Sequence, residues 1–145
     1  TMYQDYTNIY QESPYVRYIN RWQLEKADPT AELSKPKKPI VFWLENTIPK
    51  EFRAAIREGI LAWNKAFEAI GFKDAIVAKQ MPDNANWSPA DVRYSTIRWM
   101  IQPGSAYAVG PSRANPYTGE LYDADIRLSA DFFRFYFSSI RIFNF

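Results

Sequence analysis

Asp123 and Asp125 come nearest to a chemical site in this sequence: two carboxylates two positions apart, with Glu120 just before them. Such acids can hold a calcium ion through oxygen ligands or share general acid and base work. The same spacing also arises on the wet side of a half-buried strand, where alternate residues are polar for solubility alone. A glycosidase needs its second carboxylate about 5–10 Å away across a cleft, which one strand does not supply. The chain contains no histidine and no cysteine. That removes imidazole bases, thiolate nucleophiles, disulfides, and the nitrogen and sulfur ligands of zinc. A serine nucleophile would then depend on a lysine base, and a working Ser-x-x-Lys pair is not expected here. Gly104 and Gly110 stand alone, so no glycine loop cradles phosphate.

The elements that would position these residues belong to one domain, since 145 residues with 47% hydrophobic side chains suffice for a core of ordinary size. The 18 basic and 16 acidic residues are scattered and leave a net charge of +2, which argues against nucleic acid as a partner. Lys35, Lys37 and Lys38 around Pro36 read as a solvated connector. Residues Thr1 to Tyr10 lack the charged and then apolar pattern of a signal peptide, so any export signal is expected outside this chain. No stretch approaches the ~18 apolar residues of a membrane span. Aromatic residues make up 17% of the chain, and they either fill the core or, like Trp87, Tyr107 or Tyr117 if exposed, form a binding surface.

Along the chain, the imperfect alternation of Tyr15 to Leu24 predicts a strand, and Glu25 to Lys38 a connector. Ile40 to Leu44 (IVFWL) reads as a strand buried on both faces. Thr47 and Pro49 then supply a helix start. Phe52, Ile56, Ile60, Trp63, Phe67 and Ile70 stack on one face of a single long helix, which Gly71 ends in the left-handed conformation with Phe72 closing over Phe67. On this spacing Trp63 is buried, and its truncation to alanine should cost roughly 3–5 kcal/mol. Ala75 to Lys79 reads as a short strand, and Val92 to Ile101 as a longer one with a bulge or twist near Thr96, where its apolar residues change faces. Ala106 to Ser112 and Leu121 to Leu128 make a hairpin around Asn115 to Gly119. In its second arm Tyr122, Ala124, Ile126 and Leu128 face inward and Asp123, Asp125 and Arg127 face water. A helix crossing between strands favours an α+β fold with a mixed, largely parallel twisted sheet of about four to five strands, backed by one long helix. Residues 1–38 form an N-terminal segment and residues 39–145 the subdomain proper.

Several stretches carry a resemblance: VRYINRWQLEK (Val16 to Lys26), PIVFWLE (Pro39 to Glu45), EGILAWNKAFEAIGFKDA (Glu58 to Ala75), PADVRY (Pro89 to Tyr94) and AYAVGPSRANPYTGELYDADI (Ala106 to Ile126). Together they resemble a family of bacterial zinc-dependent metalloproteases with a metzincin-like catalytic domain. The resemblance implies the N-terminal part of such a domain, secreted, periplasmic or in the cell envelope, acting on peptide or protein substrates. The zinc helix, with its His-Glu-x-x-His pattern, should follow the last strand, but the chain continues through the aromatic run Phe132 to Phe145 instead. Zinc therefore belongs to the complete protein, and its ligands are not in this chain. The resemblance also implies an edge strand that holds the substrate antiparallel, by position Ala106, Tyr107, Ala108, Val109 and Gly110. The alternative is a non-catalytic peptide- or glycan-binding module that uses exposed aromatics.

Overall fold

The computed structural model describes residues 1–143. In chain order the elements are β1 (Met2–Gln4), β2 (Tyr15–Arg17), β3 (Ile40–Leu44), α1 (Lys50–Leu61), α2 (Asn64–Glu68), β4 (Ile76–Gln80), β5 (Ser95–Met100), β6 (Ala108–Val109), β7 (Ser112–Ala114), β8 (Leu121–Ala124), β9 (Ile126–Ser129) and α3 (Ala130–Phe143). The main sheet has five strands in the order β4-β3-β5-β9-β6, and two strand pairs, β1-β2 and β7-β8, stand beside it. Within the sheet β4, β3, β5 and β9 are parallel, and β6 closes the row antiparallel to β9. This is the mixed, largely parallel α+β sheet expected of a strand-helix-strand order.

The sheet forms because its central strands are apolar toward one layer. Ile40, Phe42 and Leu44 of β3, Ile76 and Ala78 of β4, and Ile97 of β5 are buried together with Ile48, and Phe52, Ile56, Ile60 and Phe67 pack on them from the helices. Phe52 also stacks on Trp99 at 5.5 Å, and Phe133 of α3 leans on both rings. Ser95, Thr96 and Ile97 are all buried. The change of face near Thr96 therefore reflects a strand covered on both sides, not a bulge, and β5 keeps continuous register with β3 and β9.

The single long helix is two short ones. After Leu61 the winding tightens: the Trp63, Lys65 and Ala66 amides bond three residues back, to Ile60, Ala62 and Trp63. A tighter turn of about three residues rotates α2 relative to the face set by α1. Phe67 stays against the core, whereas Trp63 and Ile70 are 63% and 65% exposed, so the expected burial of Trp63 is wrong. Nor does Thr47 cap α1. Its hydroxyl donates to Glu45 Oε2 at 2.7 Å, and Pro49 stands at the cap position without a side-chain bond. Gly71 ends the helix as expected, with φ +87° and the Phe72 amide reaching the Phe67 carbonyl at 2.9 Å.

The expected strand Tyr15 to Leu24 shrinks to β2, paired with β1, a strand too short for alternation to signal. Beyond Arg17 the chain leaves the extended ladder to meet the hairpin tip, where the Arg21 amide bonds the Gly119 carbonyl and the Leu121 amide bonds the Arg21 carbonyl. Trp22 and Leu24 then pack against the core. Gly119, at φ +76°, is needed there, because a side chain would run into the Ile19 carbonyl. The expected hairpin exists in two tiers, β7 with β8 and β6 with β9. The aromatic C-terminal run, which has no clear cap in the sequence, is the helix α3 as far as residue 143.

Candidate functional site

The two margins of the main sheet are treated differently, and a sheet edge is a template for another strand. At β4 the margin is closed by the helices. Asn64 donates through Nδ2 to the Ile76 carbonyl at 3.0 Å and accepts the Ile76 amide on Oδ1 at 2.8 Å, as a neighbouring strand would. Arg57 Nη1 donates to the Ala78 carbonyl at 2.8 Å. Among the described residues β6 has no such cover. The Ser129 amide takes the Tyr107 carbonyl inward, and main-chain alternation turns Ala106, Ala108 and Gly110 outward. Among the described residues, no hydrogen bond outside the β6-β9 ladder engages their amides or carbonyls.

This open edge is held at its near end. The Ser129 hydroxyl donates to the Ser105 carbonyl at 2.5 Å, the Gly104 amide donates to Asp131 Oδ2 at 2.5 Å, and the Tyr107 hydroxyl bonds Gln102 Oε1 at 2.9 Å. Gly104 allows the turn with φ +77°. Residues 102–107 are thereby tied to β9 and to the first turn of α3. Ala106, Ala108, Val109 and Gly110 are exposed, Tyr107 partly so. Beside Ala106 lies a hollow of about 670 Å³ lined by Trp99, Ile101, Pro103 and Phe135 among others. The structure thus brings the five expected edge residues together on one free margin, two of them in β6 itself and three in its extensions.

The acidic residues are arranged against expectation. Asp123 and Asp125 are 2% and 4% exposed and Tyr122 is 51% exposed, while Ala124, Ile126 and Leu128 pack on the core as expected, so the face expected to be wet is covered at both aspartates. Asp125 belongs to neither strand, and β8 pairs with β7 outside the main sheet. Asp125 Oδ1 accepts the Thr96 amide at 3.1 Å and the Thr96 hydroxyl at 2.8 Å. Asp123 Oδ2 accepts Arg113 Nη1 at 2.6 Å, while its Oδ1 is buried without a hydrogen-bond partner. Burial, and after it the charge of Asp125, raises the Asp123 carboxyl above the ordinary aspartate range, against the pull of Arg113.

Among the described residues no group of three or more Asp or Glu side chains gathers to hold an ion. With imidazole and thiolate missing from the whole sequence, the residues present do not fit zinc. A serine does stand three positions before a lysine once, from Ser34 to Lys37. That pair is spent structurally: the Ser34 hydroxyl donates to the Lys35 carbonyl and accepts the Asp28 amide, and Lys37 pairs with Glu25.

The aromatic residues of the alternative reading each have contacts of their own. Trp87 stacks on Tyr94 at 4.1 Å and meets Trp43 edge-on, Tyr117 leans on Tyr3 at 5.0 Å, and Tyr107 bonds Gln102. No described helix is long and apolar enough to cross a membrane. Comparison of the chain with protein-family models, with curated proteins and with solved structures returns no match.

Proposed function

We propose that this chain is the scaffold half of a zinc-dependent metalloendopeptidase: a sheet, its helical backing, and one wall of a cleft along which an extended peptide lies. One observation carries the reading. Of the two sheet margins, β4 is closed by Asn64 and Arg57, while β6 is left open and tied in place at one end. A peptide added there antiparallel gains main-chain hydrogen bonds from Ala106, Ala108 and Gly110, and the small side chains at these positions let it approach closely. Zinc and its catalytic glutamate belong to residues outside this chain, in a protein that is secreted, periplasmic or in the cell envelope. These 145 residues position substrate and cleave nothing by themselves.

Amide hydrogen exchange tests the docking step. An extended peptide in excess should slow exchange at Ala108 and Gly110 and leave Ile76 unchanged. Unaltered exchange at both edge residues would remove β6 from the reading. The class itself is tested by the coding sequence after Phe145, where a His-Glu-x-x-His pattern is expected within about one hundred residues, the remainder of an ordinary domain.

A further inference from the structure

A partly buried guanidinium ordinarily collects acceptors, and Arg53 does: its Nε donates to the Ile48 carbonyl at 2.8 Å and its Nη2 to the Asn46 carbonyl at 2.7 Å. Arg98 and Arg127 do not. They are register partners on β5 and β9. Both lie on the sheet face away from α1, because Ile97, Trp99, Ile126 and Leu128 on either side of them pack into the core. The Nε of each is buried without a hydrogen-bond partner.

The nearby carboxylates leave Arg127 without a partner. Glu45 Oε1 stands 3.6 Å from Arg98 Nε, and Glu45 Oε2 takes the Thr47 hydroxyl and the Trp99 amide. Asp125 is bonded by Thr96, and Asp123 by Arg113. Among the described residues the Arg127 side chain has no hydrogen bond or ion pair. Like charges directly across two strands repel, and Glu45 answers only Arg98, so Arg127 is uncompensated in the free chain.

Arg127 is also the register partner of Val109 on β6. A strand added to β6 sets one residue beside Val109 and turns every second side chain to the face of Arg127. That residue lies two strand spacings from Arg127, about 9–10 Å, a gap that an arginine and a glutamate reaching toward each other span. We propose that Arg127, with Arg98 behind it, selects extended peptides carrying a carboxylate side chain on the face of the added strand away from α1. The proposal rests on the strand-addition reading and adds the chemistry of the ligand.

The test uses two fluorescein-labelled nine-residue peptides of alternating Thr and Val, one with a central Glu and its twin with a central Gln. Each is titrated against the chain with polarisation as the readout. The Glu peptide should bind about tenfold more tightly at low salt, with the gap narrowing as salt rises. Arg127→Gln should close the gap and Arg98→Gln should narrow it, while Arg127→Lys, which keeps the charge, should retain part of it. Equal affinity of the two peptides for the unaltered chain overturns carboxylate selection and leaves strand addition standing. If neither binds, both readings fall. A gap that persists in both folded Gln variants overturns the role of the arginines.

Discussion

Asp123 is buried with one oxygen unpartnered, so its charged form is held at a cost that a solvated chain does not bear. Its folded pKa is raised above the ordinary 3.8. The contribution of this group to stability is therefore fully present below that value and is lost as pH rises through the raised one. Asp123→Asn, which cannot ionise, should show no such loss, so the difference in Tm between the unaltered chain and the variant should shift in favour of the variant as pH climbs from the unfolded pKa. Parallel Tm profiles would mean that the carboxyl titrates normally. Burial also separates two large hydrophobic residues that the sequence does not distinguish. Trp63 is 63% exposed and Ile97 is 0% exposed; in urea melts Trp63→Ala should change stability by less than about 0.5 kcal/mol, and Ile97→Ala should cost about 2–5 kcal/mol. A large loss at Trp63 would restore the single long helix.

At the scale of elements, local patterns are legible where one rule acts alone. β3 is bounded by Pro39 and Glu45 and needs only its apolar run, and Gly71 needs only its freedom at positive φ. The helix break is not legible, because it depends on Asn64 turning to bond the β4 main chain, a contact 12 residues away. β1 and the shortening of β2 depend likewise on a partner strand and on the hairpin tip. Asn64 thus serves both to break the helix and to close an edge. Asn64→Ala should cost about 1–3 kcal/mol, since it leaves the Ile76 amide and carbonyl facing outward, and should speed exchange of the Ile76 amide. Light scattering should rise with concentration as the uncovered β4 edge pairs between molecules. Unchanged exchange at Ile76 would mean that something other than Asn64 covers the strand.

For the molecule as a whole, the edge Ala106 to Gly110 is expected only through the resemblance, which assigns it by position. The arginine pair and the buried aspartates cannot be placed from sequence, because they depend on which tier of the hairpin joins the main sheet. What composition does reach at this scale is the absence of every nitrogen and sulfur ligand that zinc prefers, and that bears on how the work would be divided in the metalloendopeptidase proposed above. If the metal is held wholly outside these residues, zinc should have nothing to select in the folded chain. A ligand present at a hundred times its Kd stabilises a fold by about 2.7 kcal/mol, which in a domain of this size moves Tm by about 5–10 °C. Zinc in tenfold molar excess should leave Tm unchanged. A Tm that climbs with zinc concentration and falls back on chelation would show that the carboxylates assemble a site after all, and the scaffold reading would then give way to a chain with metal chemistry of its own.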